Sequence, residues 1–276
     1  MSAKHSMGKA PRIHVAAELQ AGGDVVLPDG AARHVARVLR LGPGAPVIIF
    51  DGQGYEAEAI LTEAGRKQVV ARVERVVAGR GESPLAVHLG QAISKGDRMD
   101  YAIQKAVELG VAEITPLYTE HGDVRLKGER EAKKLAHWQA VAASACEQCG
   151  RATLPPVHPP RSVVDWLAER DEPLCLVLHP GTPGGLDRHD DPVRAALLIG
   201  PEGGLSPAEV DAAADAGFAS LTLGPRILRT ETAPVVALSL LQNRFGDLWA
   251  AASAYPGRAR SDMRPTAPVR QRRACR

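Results

Sequence analysis

The residues most able to do chemistry cluster at three strand-to-loop junctions. Leu223-Gly224-Pro225-Arg226-Ile227-Leu228-Arg229-Thr230-Glu231-Thr232-Ala233 carries guanidinium, hydroxyl and carboxylate groups just ahead of a helix start near Pro234. Such a loop can stabilise developing negative charge or move a proton. Equally, Thr230-Glu231-Thr232 can simply cap the helix while Arg226 and Arg229 stay solvated. At the second junction the apolar run Leu197-Leu198-Ile199 enters Gly200-Pro201-Glu202-Gly203-Gly204-Leu205. Glycines there let backbone bend or approach a ligand closely. Ser206-Pro207-Ala208-Glu209 then reads as a capping box with proline at the first helical position. The turn is not G-x-G-x-x-G and lacks the Gly-Lys-Ser/Thr of a phosphate loop, so neither nucleotide site is predicted. A purely structural turn is the competing reading. The third junction is Leu178-His179-Pro180-Gly181. All three belong at the carboxyl edge of a parallel sheet, where α/β proteins bind ligands.

Other reactive residues carry less. Cys146-Glu147-Gln148-Cys149 lies at a helix end and lacks the further ligands zinc needs, so it reads as inert. The histidines are scattered, with no His-Glu-x-x-His or Gly-x-Ser-x-Gly context, and no metal is expected.

These junctions need a scaffold, and 276 residues suffice for two domains. A net charge of +2 does not by itself imply nucleic acid. No apolar run reaches bilayer length, the N-terminus has no signal-peptide core, and four cysteines make no disulfide framework. A reducing cytoplasm and no membrane partner are expected.

Residues 11–77 read as a small β-rich domain after a flexible extension, 1–10. A hairpin is predicted from Val47–Phe50 through Asp51-Gly52-Gln53-Gly54 to Tyr55–Ile60, with another strand at Gln68–Val77. Ala31–Leu41 reads as one helix, with Val35, Val38 and Leu39 on one side and Arg33, Arg37 and Arg40 on the other. That basic stripe is either a solvated face or a phosphate-contacting surface. Val77–Pro84 is the predicted linker. Beyond it, strands at Leu85–Ile93, Val111–Tyr118, Leu174–Leu178, Ala195–Ile199 and Ala219–Leu223 alternate with helices, which predicts a parallel α/β domain over 84–250. Helices are expected at Asp97–Leu109, Glu129–Cys149 and Ala233–Trp249. The last is expected to bury Val236, Leu240, Phe245 and Leu248. The arginine-rich tail, 251–276, is predicted disordered.

Together, Ile199-Gly-Pro-Glu-Gly-Gly-Leu-Ser and Leu223-Gly-Pro-Arg-Ile-Leu-Arg-Thr-Glu-Thr-Ala resemble the cofactor site of SPOUT methyltransferases. The variant resembles the bacterial 16S ribosomal RNA uridine-N3 methyltransferase family, RsmE. His34-Val-Ala-Arg-Val-Leu-Arg, His88-Leu-Gly-Gln-Ala-Ile-Ser-Lys-Gly-Asp-Arg-Met, Gln104-Lys-Ala-Val-Glu-Leu-Gly-Val and Ala145-Cys-Glu-Gln-Cys-Gly-Arg extend the match from Pro11 to Trp249. The resemblance implies a PUA-like β-barrel followed by a SPOUT trefoil-knot domain, a homodimer, and S-adenosylmethionine as cofactor. It implies cofactor contacts from His179, Gly200, Glu202, Gly203, Leu223, Leu228 and Thr230, and a small-subunit ribosomal RNA substrate, in the assembled subunit.

Uridine N3 must lose a proton on methylation, so Arg229 is the candidate to stabilise the uracil anion. Glu231 or Glu202 is the candidate base, Glu202 being alternatively a partner for the cofactor's positive charge. RNA contact is expected from Arg12, Arg33, Arg37, Arg40, Lys95, Arg98 and Arg151. The rivals are a SPOUT enzyme with another RNA target and a non-catalytic RNA-binding or ribosome-assembly protein.

Overall fold

The computed structural model describes residues 10–65, 68–179, 186 and 191–248. The basic tail and most of the N-terminal extension fall outside them, as do Pro180 and Gly181.

In the first part of the chain, β1 (Arg12–His14), β2 (Asp24–Val26), β3 (Pro46–Phe50), β4 (Tyr55–Ala64) and β5 (Val69–Ala78) form one sheet in the order β1-β3-β4-β5-β2. β3 and β4 are the predicted hairpin; at its turn Asp51 Oδ1 accepts from the amides of Gln53 and Tyr55. Alternation puts Ala57, Ala59 and Leu61 of β4 and Val69, Ala71 and Val73 of β5 inside. Ile13 and Val25, from the two end strands, join the same core, so the sheet wraps around it.

The predicted single helix Ala31–Leu41 is corrected. A short α1 (Asp29–Arg33) runs into a π-helical turn, His34–Val38, where the Leu39 amide donates to the His34 carbonyl five residues back. Wider winding breaks the 3.6-residue period, so of the three expected inward residues only Val35 is buried, while Val38 and Leu39 are exposed. Arg40, at φ 54°, turns the chain out of the element. Arg33, Arg37 and Arg40 remain exposed.

The second part is a three-layer α/β unit. β6 (Ala86–Ala92), β7 (Glu113–Tyr118), β8 (Arg161–Ser162), β9 (Leu174–Leu178), β10 (Arg194–Ile199) and β11 (Ala219–Leu221) form an all-parallel sheet in the order β11-β9-β10-β6-β7-β8. β10 is covered on both sides: Ala195, Leu197 and Ile199 face one core and Ala196 and Leu198 the other. The first core packs under α2 (Asp97–Glu108), α3 (Glu129–Cys149) and α6 (Thr232–Phe245). The second packs under α4 (Val163–Leu167) and α5 (Pro207–Asp215), with Trp166 and Phe218 at its centre. Gly150 ends α3 at φ 90°, a left-handed position suited to glycine.

The buried stripe of α6 is Ala233, Pro234, Ala237, Leu238, Leu241 and Gln242; of the expected set, Phe245 is partly buried against the same core. Leu240 and Leu248 are exposed, and Leu248 lies beyond the helix end. Small residues let this face sit close to the sheet. Gln242 locks the rotation, accepting from Ser83 Oγ at 2.5 Å and donating to the Gly110 carbonyl at 3.3 Å.

Candidate active site

Parallel pairing of β9, β10 and β11 brings Leu178-His179, Ile199-Gly200 and Leu221-Thr222-Leu223 to one carboxyl edge. There they line a cleft of about 580 Å³, a volume typical of a small-molecule site. The Ser206 capping box is present: Ser206 Oγ accepts from the Glu209 amide while Glu209 Oε2 accepts from the Ser206 amide. Glu209 has a second role, since its Oε1 accepts from the Glu120 amide at 2.8 Å. One buried carboxylate thus ties the helix start to the loop after β7.

Thr230 decides between the two readings of Thr230-Glu231-Thr232. It is 4 % exposed, and its hydroxyl does not cap α6. Instead it donates to the Gly200 carbonyl at 3.0 Å and accepts from Gln91 Nε2 at 3.3 Å. The two glycine- and arginine-containing loops are therefore clamped as facing walls of one cleft. Gln91, a lone amide near the end of the apolar run of β6, was missed by the sequence reading. His121 was missed too: Nδ1 lies 3.2 Å from the Gly204 carbonyl, and a Cβ at Gly203 would come within 3.2 Å of His121 Cβ. A Cβ at Gly200 would meet Leu205 at 3.1 Å, so glycine there permits the tight return of the loop.

His179, Gly200, Glu202, Gly203, Leu223, Leu228, Arg229, Thr230 and Glu231 all line the cleft. The walls are aliphatic, from Leu178, Ile199, Leu205, Leu221, Leu223 and Leu228, while Arg226, Arg229, Glu202 and Glu231 supply charge. Arg98, expected on an RNA surface, lies in the same lining and pairs with Glu202 at 2.5 Å. Among the described residues, neither Arg226 nor Arg229 has an acidic partner within 4 Å, and Glu231 has no cationic one. The cleft thus brings together an apolar slot, two guanidinium groups without acidic partners among the described residues and the Glu231 carboxylate.

Two expected RNA contacts are corrected. Arg151 is 4 % exposed and spends its donors on Glu82 and on the carbonyls of Val107 and Val111. Arg12 is partly buried, pairs with Glu56 at 2.6 Å, donates to the Arg151 carbonyl and lies over the Phe50 ring. Both are turned inward at the seam between the two domains, which withholds their guanidinium groups from phosphate. Lys95 is exposed but pairs with Asp123 at 2.6 Å. Cys146 is buried, and burial pushes its thiol up to about 12, while Cys149 is exposed.

Residues 81–242 match the family model of an RNA methyltransferase domain, and 27–74 match an RNA methyltransferase PUA domain. Fold and cleft therefore define an RNA methyltransferase of mixed α/β architecture with an N-terminal PUA domain. A ribosomal RNA small subunit methyltransferase E from Buchnera aphidicola is 35 % identical over 242 residues, covering 87 % of this chain and 98 % of that one. Its Mycobacterium tuberculosis namesake is 35 % identical over 227 residues, covering 78 % and 85 %. A Neisseria gonorrhoeae enzyme of that name, solved bound to S-adenosyl methionine, superposes with a TM-score of 0.81 at 39 % identity over 87 % of this chain and 99 % of its own. A Legionella pneumophila protein solved with its bound cofactor, SAM, gives 0.85 at 43 % identity over 87 % and 100 %. The chain belongs to the ribosomal RNA small subunit methyltransferase E family.

Proposed function

We propose that this protein transfers a methyl group from S-adenosylmethionine to N3 of a uridine in small-subunit ribosomal RNA. The observation that carries the reading is the Thr230–Gly200 clamp, which joins the two motif loops into one aliphatic, glycine-lined cleft. The cleft fits the cofactor: its volume suits a nucleoside, its walls are aliphatic, and Gly200 and Gly203 let the loop pack tightly against Leu205 and His121 to form one of them. His179, Gly200, Glu202, Gly203, Leu223, Leu228 and Thr230 would hold it. When bound, the cofactor supplies an electrophilic methyl group. The chain's own part is to align the target nitrogen, remove its proton and stabilise the resulting charge. Arg229 faces the uracil oxygens as they gain charge. Glu231 is the better-placed base, because Glu202 is held by Arg98.

Glu231→Gln should slow single-turnover methylation about 10²-fold near neutral pH and flatten the acid limb of the pH–rate profile. An unchanged profile would remove Glu231 as the base. The reaction itself is tested by incubating small subunits lacking the modification with labelled cofactor and mapping the label. Label on a ribose 2′-oxygen would assign another target, and cofactor binding without transfer would favour the non-catalytic rival.

The PUA domain, residues 11–77, supplies the RNA stripe of Arg33, Arg37 and Arg40, with Lys95 and Arg98 contributing from the methyltransferase domain, 84–250. Arg37→Glu combined with Arg40→Glu should weaken RNA binding and lower its log–log salt slope by about 1.4, two single-strand phosphate contacts. An unchanged slope would make the stripe a solvated face. We also propose the trefoil knot, with the clamped loops as its crossing, and a homodimer through this domain acting on the assembled subunit in the cytoplasm. Exposed Leu240 and Leu248 on and after α6 support the dimer. No helix of the described residues is long and apolar enough to cross a membrane. Light scattering giving a monomer at micromolar concentration would overturn the dimer.

A further inference from the structure

A second cleft, of about 520 Å³, opens among residues at the start of β6 and β7, at the sheet edge opposite the first. No step proposed above uses it. Its centre is His88 of β6, which is only 8 % exposed, with Glu113 opening β7 and His158 from the segment bridged to β7. Strand register fixes the three together: His88 is the parallel partner of Glu113, and the His158 amide donates to the Ile114 carbonyl. Glu113 Oε2 lies 2.8 Å from His158 Nε2 and 3.7 Å from His88 Nδ1, and one ligand atom from each residue lies within 4.8 Å of the others. A tetrahedral ion with bonds of about 2.0–2.1 Å requires ligand separations of about 3.3 Å. Small side-chain shifts therefore convert this cluster into a coordination set.

The surroundings of His88 support that role. Arg170 Nη1 lies 2.6 Å from Nδ1, and a guanidinium only donates, so Nδ1 carries the lone pair. On the far side of the ring, Nε2 is fixed by Thr115 Oγ at 2.8 Å and by the Trp166 indole N–H, which points at it from 3.3 Å. A histidine held through one nitrogen by fixed neighbours while presenting the other towards a carboxylate is oriented as metal ligands are. Arg170 itself occupies the cation's position, and it has alternative partners in Glu172, at 3.0 Å, and the Trp166 carbonyl.

We propose that His88 Nδ1, Glu113 and His158 Nε2 form a binding site for one divalent transition-metal ion of the zinc type, from which Arg170 withdraws on binding. Two imidazoles and one carboxylate suit zinc, with the remaining position open to the cleft.

The test is titration of the intact chain with cobalt(II), followed by zinc competition. One equivalent of cobalt should give visible bands of a four- or five-coordinate nitrogen and oxygen site, which zinc abolishes, and zinc should raise Tm. His158→Ala and Glu113→Gln should each weaken binding at least about a hundredfold. Their side chains are 39 % and 45 % exposed, so both variants should fold, which circular dichroism checks. Arg170→Gln should bind at least as tightly as the parent, and Cys149→Ser should change nothing. Absence of a visible band at millimolar cobalt would overturn the site. So would a His158→Ala titration matching the parent, or a thiolate charge-transfer band placing the ion on cysteine.

Discussion

Arg229→Ala should slow single-turnover methylation by about 10²–10³-fold while leaving cofactor affinity within a few-fold. Removing one preorganised donor from developing negative charge has that order of effect. Uracil becomes an anion when N3 loses its proton, and the charge spreads onto the flanking carbonyl oxygens. A guanidinium can meet two such acceptors with its fork of donors, whereas lysine is a point charge, so Arg229→Lys should recover only part of the rate. The effect should be confined to the chemical step. Arg229 is exposed, and no acidic group among the described residues lies within ion-pair reach, so truncation costs the fold little. Cofactor affinity by calorimetry should therefore stay flat while the rate falls. A near-normal single-turnover rate would sink the anion-stabilising role and pass it to Arg226, the other guanidinium of the cleft without an acidic partner among those residues.

What was legible beforehand follows a physical line. The strands of the large domain were readable because both faces are covered, giving apolar runs such as Leu174–Leu178 and Ala195–Ile199 that need no tertiary knowledge. The Ser206 box was readable because its hydrogen bonds are local in sequence. The π-turn at His34–Val38 was not, because an extra residue per turn leaves no mark in composition. The face of α6 was misjudged for a related reason. Of Val236, Leu240, Phe245 and Leu248, expected inward, Phe245 packs against the core, while Leu240 and Leu248 are exposed; Ala233 and Ala237 lie in the buried stripe and Gln242 fixes the rotation through Ser83, 159 residues away. The motif loops could be recognised, but whether Thr230 caps or clamps depends on the Gly200 carbonyl across the cleft. Long-range hydrogen bonds of this kind also hid Gln91, His121 and the second role of Glu209.

Arg151→Ala should cost about 2–3 kcal/mol of stability, because buried carbonyls lose a charged donor while Glu82, 37 % exposed, can turn to water. The variant would leave Glu82 without its guanidinium and deprive the Val107 and Val111 carbonyls of their donor. Glu82 would keep only the Thr153 amide, which lies 3.2 Å from Oε1. The backbone contacts of Arg151 at the domain seam, its carbonyl accepting from Arg12 and its bridge to Arg80, are kept in the variant, so the loss reads the side chain alone. Urea unfolding should show the midpoint falling, and Arg151→Lys should be intermediate, since an ammonium cannot reach both carbonyls and the carboxylate in the guanidinium's fixed geometry. RNA binding separates this role from the one its charge suggested. A phosphate contact would lower the salt slope by about 0.7 with stability intact. A seam residue lowers stability and, measured on the folded fraction at low temperature, leaves the slope where it was. Losing Arg37 and Arg40 should do the reverse. Opposite signatures from arginines in one chain would show that burial, rather than residue type, decides which basic groups meet the RNA.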